Sequence, residues 1–224
     1  MERLFVRSVI KKQKVMANIL KKDNALPRGY LSWSQLSLWE KDPNLYYQIY
    51  IDGMDMIRTP YLKLGTRLDE AIQNGQDEFG DPMINYLVIM FPKYPKMQYR
   101  IEIEFEGINL VGVLDGFSSL RKKLVIGEYK SGQKFTQSKA DKLGQLDMYA
   151  LLVWKKFGRL PDKIKLHWAE TKVKENEEGK KEVFFTGKIK TFETTRTMKN
   201  LILMGGRIHK AYKEISKMWK GFGY

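Results

Sequence analysis

Leu110-Val111-Gly112-Val113-Leu114-Asp115-Gly116 and Leu124-Val125-Ile126-Gly127-Glu128-Tyr129-Lys130 are the two stretches whose reading decides the fold. Each is an apolar run of strand length that closes on charge. A strand turns alternate side chains to opposite faces, so Glu128 and Lys130 project together and Tyr129 projects the other way. If the two strands pair as a hairpin, Asp115 approaches Glu128. Two carboxylates and an ammonium then converge at the edge of an apolar sheet. Buried charge is costly unless it is paired or binds metal, so such an arrangement requires a reason.

A divalent cation supplies one. Carboxylate oxygens suit Mg²⁺ or Mn²⁺, ions that sit between protein acids and substrate phosphates. A bound ion lowers the pKa of its water and neutralises phosphate charge. Lys130 would orient or deprotonate that water, or stabilise the developing negative charge. Taken alone, Asp…Glu-x-Lys also fits a surface hairpin with ordinary solvated charges, because these residue types are common.

Working outward, four segments fall in a meaningful order. Ser32-Trp33-Ser34-Gln35-Leu36 with Asp42-Pro43-Asn44-Leu45-Tyr46-Tyr47 comes first, then Gly65-Thr66-Arg67-Leu68-Asp69. The Asp115 and Glu128-Tyr129-Lys130 pair of strands follows, and then Gln145-Leu146-Asp147-Met148-Tyr149. Together they resemble the PD-(D/E)xK nuclease superfamily, specifically its RecB-like and CRISPR-adaptation-type exonuclease branch. The resemblance implies an α/β (α+β) restriction-endonuclease-like core with a central mixed sheet flanked by helices. It implies catalytic Asp115, Glu128 and Lys130, and a Mg²⁺ or Mn²⁺ ion held by Asp115, Glu128 and the Tyr129 carbonyl. Asp69 stands where the branch usually has His, and either adds an oxygen ligand or is a solvated helix charge. Gln145, Tyr149, Ser34 and Gln35 become candidate substrate contacts. The bland alternative for Tyr149 is a core aromatic, and for Gln145 a surface amide.

The chain has 224 residues and no cysteine, which excludes disulfides, thiolate metal sites and the four-cysteine iron–sulfur cluster of some branch members. It reads as one domain: a basic lead-in over 1–30, helices plus catalytic core over 31–160, and a strand pair with a C-terminal helix over 161–224. The formal net charge is +14. The first and last thirty residues each carry an excess of +6. That balance favours a polyanionic partner, and with the candidate site it favours nucleic acid. No apolar run is long enough to span a bilayer and no signal-peptide core opens the sequence, so a cytoplasmic setting is expected and a membrane partner is not.

Periodicity places a short strand at Leu4 to Ile10 and helices from Ser32 or Ser34 to Asp42, from Pro43 to Gly53, and over Leu62 to Asn74. A buried helix is expected over Pro82 to Phe91. Tyr99 to Phe105 and Leu110 to Asp115 read as a hairpin turning over 106–109. A helix capped at Ser138 should run to Phe157 with Gly144 inside it. Lys163 to Thr171 and Lys181 to Thr191 read as strands. In a closing helix, Met198, Leu201, Ile202, Ile208, Tyr212, Ile215 and Trp219 form the apolar stripe. No phosphate-binding GKS/T loop occurs, which argues against a motor activity. His167 and His209 lack metal-ligand spacing and read as structural or surface residues.

The expected activity is therefore metal-dependent hydrolysis of DNA phosphodiesters to 5′-phosphate products, more exonucleolytic than endonucleolytic. The alternatives are a nucleic-acid-binding module without turnover, or a nuclease subunit acting with a recombinase, integrase or helicase partner.

Overall fold

The computed structural model describes residues 25–175, 179 and 181–221. The strand expected at Leu4 to Ile10, and most of the basic lead-in, lie outside the described residues. Among the described residues, seven α-helices and a five-stranded sheet are formed. In chain order they are α1 (Trp33–Lys41), α2 (Pro43–Tyr50), α3 (Pro60–Asn74), α4 (Pro82–Met90), β1 (Lys96–Phe105), β2 (Ile108–Ser118), β3 (Val125–Gly132), α5 (Gln137–Asp141), α6 (Gly144–Phe157), β4 (Lys163–Glu175), β5 (Lys181–Thr194) and α7 (Met198–Lys220). The strand order is β1-β2-β3-β4-β5. β2 and β3 are antiparallel, β3 and β4 parallel, β4 and β5 antiparallel. The sheet is mixed and flanked by helices, and the fold class is α+β as expected.

Helix starts follow local chemistry. Ser32 caps α1 by accepting from the Gln35 N–H, and Asp42 caps α2 by accepting from the Leu45 N–H at 2.9 Å. Pro43, Pro60 and Pro82 each occupy a first helical turn, where a missing N–H costs nothing. α3 therefore begins two residues earlier than its apolar pattern suggests. Between β1 and β2 the turn is only Glu106-Gly107, both at positive φ (51° and 82°). A two-residue turn of this kind matches strand twist and holds β1 and β2 in register.

The described residues divide into two compact units. One comprises residues up to Asp55, Glu102–Gly112, and Ile202 onward. Its buried side chains include Leu31, Leu36, Tyr46, Leu110, Ile208 and Ile215. Leu31 bridges Leu110 in parallel, with its N–H on the Asn109 carbonyl at 2.8 Å. Arg207 grips Glu40 through two bonds and lies over the Trp33 ring, 5.3 Å from its centroid. The apolar stripe of α7 is shifted from its sequence reading. Met204 and Ala211 are buried, whereas Ile202 is 69% exposed. Gly205 moves the seam, since a Cβ there would stand 3.2 Å from the Phe105 ring.

The other unit, Met56–Ile101 with Val113–Leu201, carries the expected site. On the Tyr129 face of β3, α3 and α4 pack through Leu68, Ile72, Ile84, Leu87 and Val88, with Phe91 stacked on Tyr129 at 5.3 Å. Each such buried aliphatic side chain contributes about 1.5–3 kcal/mol. α4 is not wholly buried as its sequence suggests: Met83, Tyr86, Ile89 and Met90 are exposed. The expected helix from Ser138 is also broken in two. Thr136, not Ser138, caps α5, and Gly144 opens α6 rather than weakening its middle. Arg196 explains the break. Its guanidinium donates to the carbonyls of Ala140 (3.0 Å) and Leu143 (3.3 Å) at the break.

Candidate active site

Gly116 and Gly127 face each other across β2 and β3, followed by Phe117↔Ile126 and Ser118↔Val125. On this register Asp115 and Glu128 stand one residue beyond the first pair, as the hairpin reading requires. The two glycines have a shared cause. A Cβ on Gly116 would lie 2.3 Å from the Tyr94 ring, and one on Gly127 would lie 2.2 Å from it. The Tyr94 ring thus lies flat against the cross-strand pair, and only glycine leaves it room. Its hydroxyl pairs with His167 Nε2 at 2.8 Å, and His167 Nδ1 pairs with the Thr191 hydroxyl at 2.9 Å. Burial lowers the His167 pKa to about 4, so this imidazole is neutral and structural. His209 is a surface residue paired with Glu106.

The opposite face of the same residues is polar. Glu128 is 1% exposed. Its Oε1 accepts from Lys130 Nζ at 2.6 Å, while Oε2 is buried with no hydrogen-bond partner. Asp115 Oδ2 accepts from the Tyr129 N–H at 2.9 Å. Burial pushes Glu128 up to about 8, with Lys130 opposing the rise and Asp115 adding to it. Asp69 projects from α3 into the same field: burial, then Asp115, raise it to about 7 against the pull of Lys130. For Lys130, burial works to lower the pKa, but Glu128, Asp115 and Asp69 outweigh it and hold the group above the ordinary lysine value. Lys130 is therefore an ammonium at neutral pH.

α3 can reach β3 because of Gly65, where a Cβ would stand 3.2 Å from Ser131 Oγ. Between these elements a cleft of about 360 Å³ is lined by Tyr61, Leu62, Thr66, Asp69, Lys130 and Ser131 among others. Gln133 Nε2 donates to the Tyr61 hydroxyl at 2.8 Å across its rim. On α6, Gln145 Nε2 donates to the Tyr149 hydroxyl at 2.9 Å, and that hydroxyl donates to the Val113 carbonyl at 2.7 Å. Tyr149 thus fastens α6 to β2 two residues before Asp115.

The residues expected from sequence fall in both compact units. Asp69, Asp115, Glu128, Lys130, Gln145 and Tyr149 share one compact unit, whereas Ser34 and Gln35 belong to the other. Gln35 is buried, donating to Ser32 Oγ at 3.3 Å and accepting from the Tyr46 hydroxyl at 3.5 Å. Ser34 is exposed, its hydroxyl 3.0 Å from that of Ser32. Among the described residues, no three His, Cys, Asp or Glu side chains close around a common point suited to an ion. The donor set nonetheless fits a hard cation: Asp115 and Glu128 offer carboxylate oxygens, and Glu128 Oε2 is buried with no donor to it.

Two residues went unread in the sequence. Tyr94 lies in a loop and is linked to the site only through glycines distant in sequence. Trp168 pairs with Lys130 across β3 and β4, and its indole N–H is buried without a partner. A period-2 reading of β4 places it on the Lys130 face once the register is known, but register is not legible in an isolated strand.

Comparison with known proteins places the fold and the family. The chain is similar in fold to a candidate exonuclease of Eubacterium rectale, at 12% identity over 86% of this chain and 82% of that one, with a TM-score of 0.54. A second solved structure, described as SSO0001, has 15% identity over 84% of this chain and 73% of that one, with a TM-score of 0.39. No curated protein sequence matches the chain. A family model for the PD-(D/E)XK nuclease superfamily matches residues 66–213, a span that runs from the Asp69 helix through both acidic strands and α6. That span covers well over half of the chain, and the chain belongs to the PD-(D/E)XK nuclease superfamily.

Proposed function

We propose that this nuclease-superfamily chain is a divalent-metal-dependent deoxyribonuclease, acting from DNA ends to leave 5′-phosphates, of the RecB-like branch. The observation that carries the reading is the unpartnered, buried Glu128 Oε2 beside Asp115 and Lys130. A buried carboxylate oxygen with no donor is destabilising, and a cation shared with Asp115 removes that cost. Asp115 and Glu128 would hold Mg²⁺ or Mn²⁺ with the Tyr129 carbonyl, which in a strand leaves on the same side as the N–H that meets Asp115. When bound, the ion supplies an activated water and offsets charge on the phosphate.

The chain's own residues do the rest. Lys130, held as an ammonium, donates to the attacking oxygen or to the phosphate and stabilises the negative charge that builds there. Its Glu128 contact fixes its direction. Asp69 lines the cleft and would add an outer contact to the ion's waters. Tyr149 positions β2, and so Asp115, by gripping Val113. Gln145 orients Tyr149 and has a remaining amide capacity for the substrate strand.

Linear DNA labelled at either end, incubated with Mg²⁺ or Mn²⁺, tests the reading. Wild type should release 5′-phosphorylated products, EDTA should stop it, and Lys130→Ala or Glu128→Gln should lower the rate by about 10²–10³. Equal degradation by wild type and both variants would overturn it. Binding without cleavage in any divalent metal would favour the non-catalytic module instead.

A further inference from the structure

A second cluster lies at the far end of β3, inside the same compact unit. Tyr99 on β1 stacks on Phe117 of β2 with ring centroids 4.9 Å apart, and Phe117 stacks on Phe157 of α6 at 5.3 Å. Two lysines converge on this ladder. Lys96 Nζ stands 4.6 Å, and Lys156 Nζ 4.9 Å, from the centre of the same Tyr99 ring. The two ammonium groups are thus closer together than the screening length of about 10 Å at 0.1 M salt. The β2–β3 turn adjoins them, carrying Arg121, Lys122 and Lys123, all exposed. Arg159 ties that turn to the end of α6 by donating to the Lys122 carbonyl.

Ordinary causes explain part of this. Lys155 and Lys156 sit in the last turn of α6, where cations favour the helix dipole. That does not account for Lys96, or for three consecutive cations in the turn. Arg121 and Lys122 both adopt positive φ, 50° and 60°, a conformation that Gly or Asn takes far more readily. The turn retains charged, long side chains where small ones would be easier. Among the described residues, Lys96, Arg121, Lys122, Lys123 and Lys156 have no carboxylate partner, and Arg159 shares Asp162 at 3.5 Å. Like charges held this close call for a polyanion.

We infer that Lys96, Lys156 and the Arg121-Lys122-Lys123 turn form a second binding site, for the sugar-phosphate backbone of the nucleic acid whose end occupies the candidate active site. The inference rests on the proposed nuclease reading and adds to it a site that fixes how long a substrate must be. Elements of the unit supply the spacing. Seven residue steps along an extended chain separate Lys123 from Lys130, about 23 Å at 3.3 Å per step. α6 runs back the opposite way, with Gln145 and Tyr149 at the acidic end and Lys156 at the basic end. At 3.4 Å per step along each strand of a duplex, the separation is about seven base pairs. Nucleic acid shorter than that reaches one site and not both. Tyr99, half-buried under the two lysines, offers an aromatic edge to a sugar or terminal base.

The test measures binding and turnover separately. Fluorescence anisotropy in EDTA would compare wild type, Lys96→Gln/Lys156→Gln and Arg121→Gln/Lys122→Gln/Lys123→Gln on a duplex of about 20 base pairs and on a trinucleotide. Each multiple variant should bind the duplex on the order of tenfold more weakly, with its salt-dependence slope lower by about 2–3. Neither should change trinucleotide binding. Arginine at 96 and 156 should restore duplex affinity. Hydrolysis of thymidine 5′-(p-nitrophenyl phosphate) with Mn²⁺ should match wild type, because the acidic site is untouched. Wild-type duplex affinity and salt slope in both variants would overturn the inference. So would equal losses on trinucleotide and duplex, or binding of the patch to anionic vesicles and not to DNA. If the chain binds DNA through this patch yet cleaves nothing, the nuclease reading fails and the second site stands.

Discussion

Two buried ion pairs in the same compact unit behave differently. Arg196 is 4% exposed, and its guanidinium reaches Asp147, the Thr194 hydroxyl, and the carbonyls of Thr195, Ala140 and Leu143. The cation is surrounded by acceptors, and it closes the helix break between α5 and α6. Glu128 is as deeply buried, yet one of its oxygens has nothing to accept from, and its lysine partner is 33% exposed. The first pair is complete within the chain and serves the fold. The second leaves a buried acceptor unfilled among the described residues. Burial of charge alone does not separate structure from function; an unfilled valence beside it does.

The sharpest way to break this contrast is to remove one member of each pair. Arg196→Ala should cost about 3–5 kcal/mol of unfolding free energy, because Asp147 loses its buried cation and the carbonyls at the helix break lose a charged donor. Glu128→Gln should stay within about 1 kcal/mol of wild type, since the burial-raised acid is replaced by a neutral isostere and Lys130 can reach water. Urea unfolding monitored by circular dichroism measures both. A Glu128→Gln variant as unstable as Arg196→Ala would put the two pairs in one class.

The next effect comes from the reverse face of the acidic strands. Gly127→Ala should destabilise by about 1–3 kcal/mol through overpacking against the rigid Tyr94 ring. Tyr94→Ala combined with Gly127→Ala should recover part of that loss, which a double-mutant cycle would show. Additive losses would mean that the ring and the glycine do not meet.

Per group and per pH unit, pH gives the smallest effect. Asp69 and Glu128 have folded-state values raised to about 7 and about 8. A raised acid favours the folded state below its unfolded value near 4, and that contribution is lost as pH rises through 7 and 8. Metal-free protein should therefore lose stability from pH 5 to pH 8, by at most about 1.4 kcal/mol per pH unit for each group. Asp69→Asn with Glu128→Gln should flatten the slope. Thermal melts in EDTA across this range measure it, and a melting temperature that climbs with pH would reverse the assignment. Mg²⁺ or Mn²⁺ should displace these protons, so the ion's stabilising effect should grow toward pH 8.

Much of the site was legible because its signals are local. Glu128, Tyr129 and Lys130 lie on one strand whose two-residue period fixes their faces, and Asp115 needed only an antiparallel neighbour in the observed register. The helix starts at Trp33 and Pro43 were likewise written in Ser32, Asp42 and Pro43. Illegible features depend on groups distant in sequence. The break before Gly144 is stabilised by Arg196, more than fifty residues on, and a continuous helix is what local propensity alone would choose. The α7 stripe moved because Gly205 admits Phe105. Gln35 looked available in sequence, but Tyr46 and Ser32 occupy it inside the core of the other unit. Whether Asp69 faces an ion directly depends on how closely α3 can approach β3 over Gly65, a tertiary distance with no sequence period.

The Tyr94 ring is wedged against the backs of the two residues that adjoin Asp115 and Glu128. A hydrophobic side chain outside the reaction therefore acts as a gauge for the gap between the carboxylates. Engineering metal preference, where ionic radii differ by tenths of an ångström, could begin by resizing that ring and leaving every oxygen ligand in place.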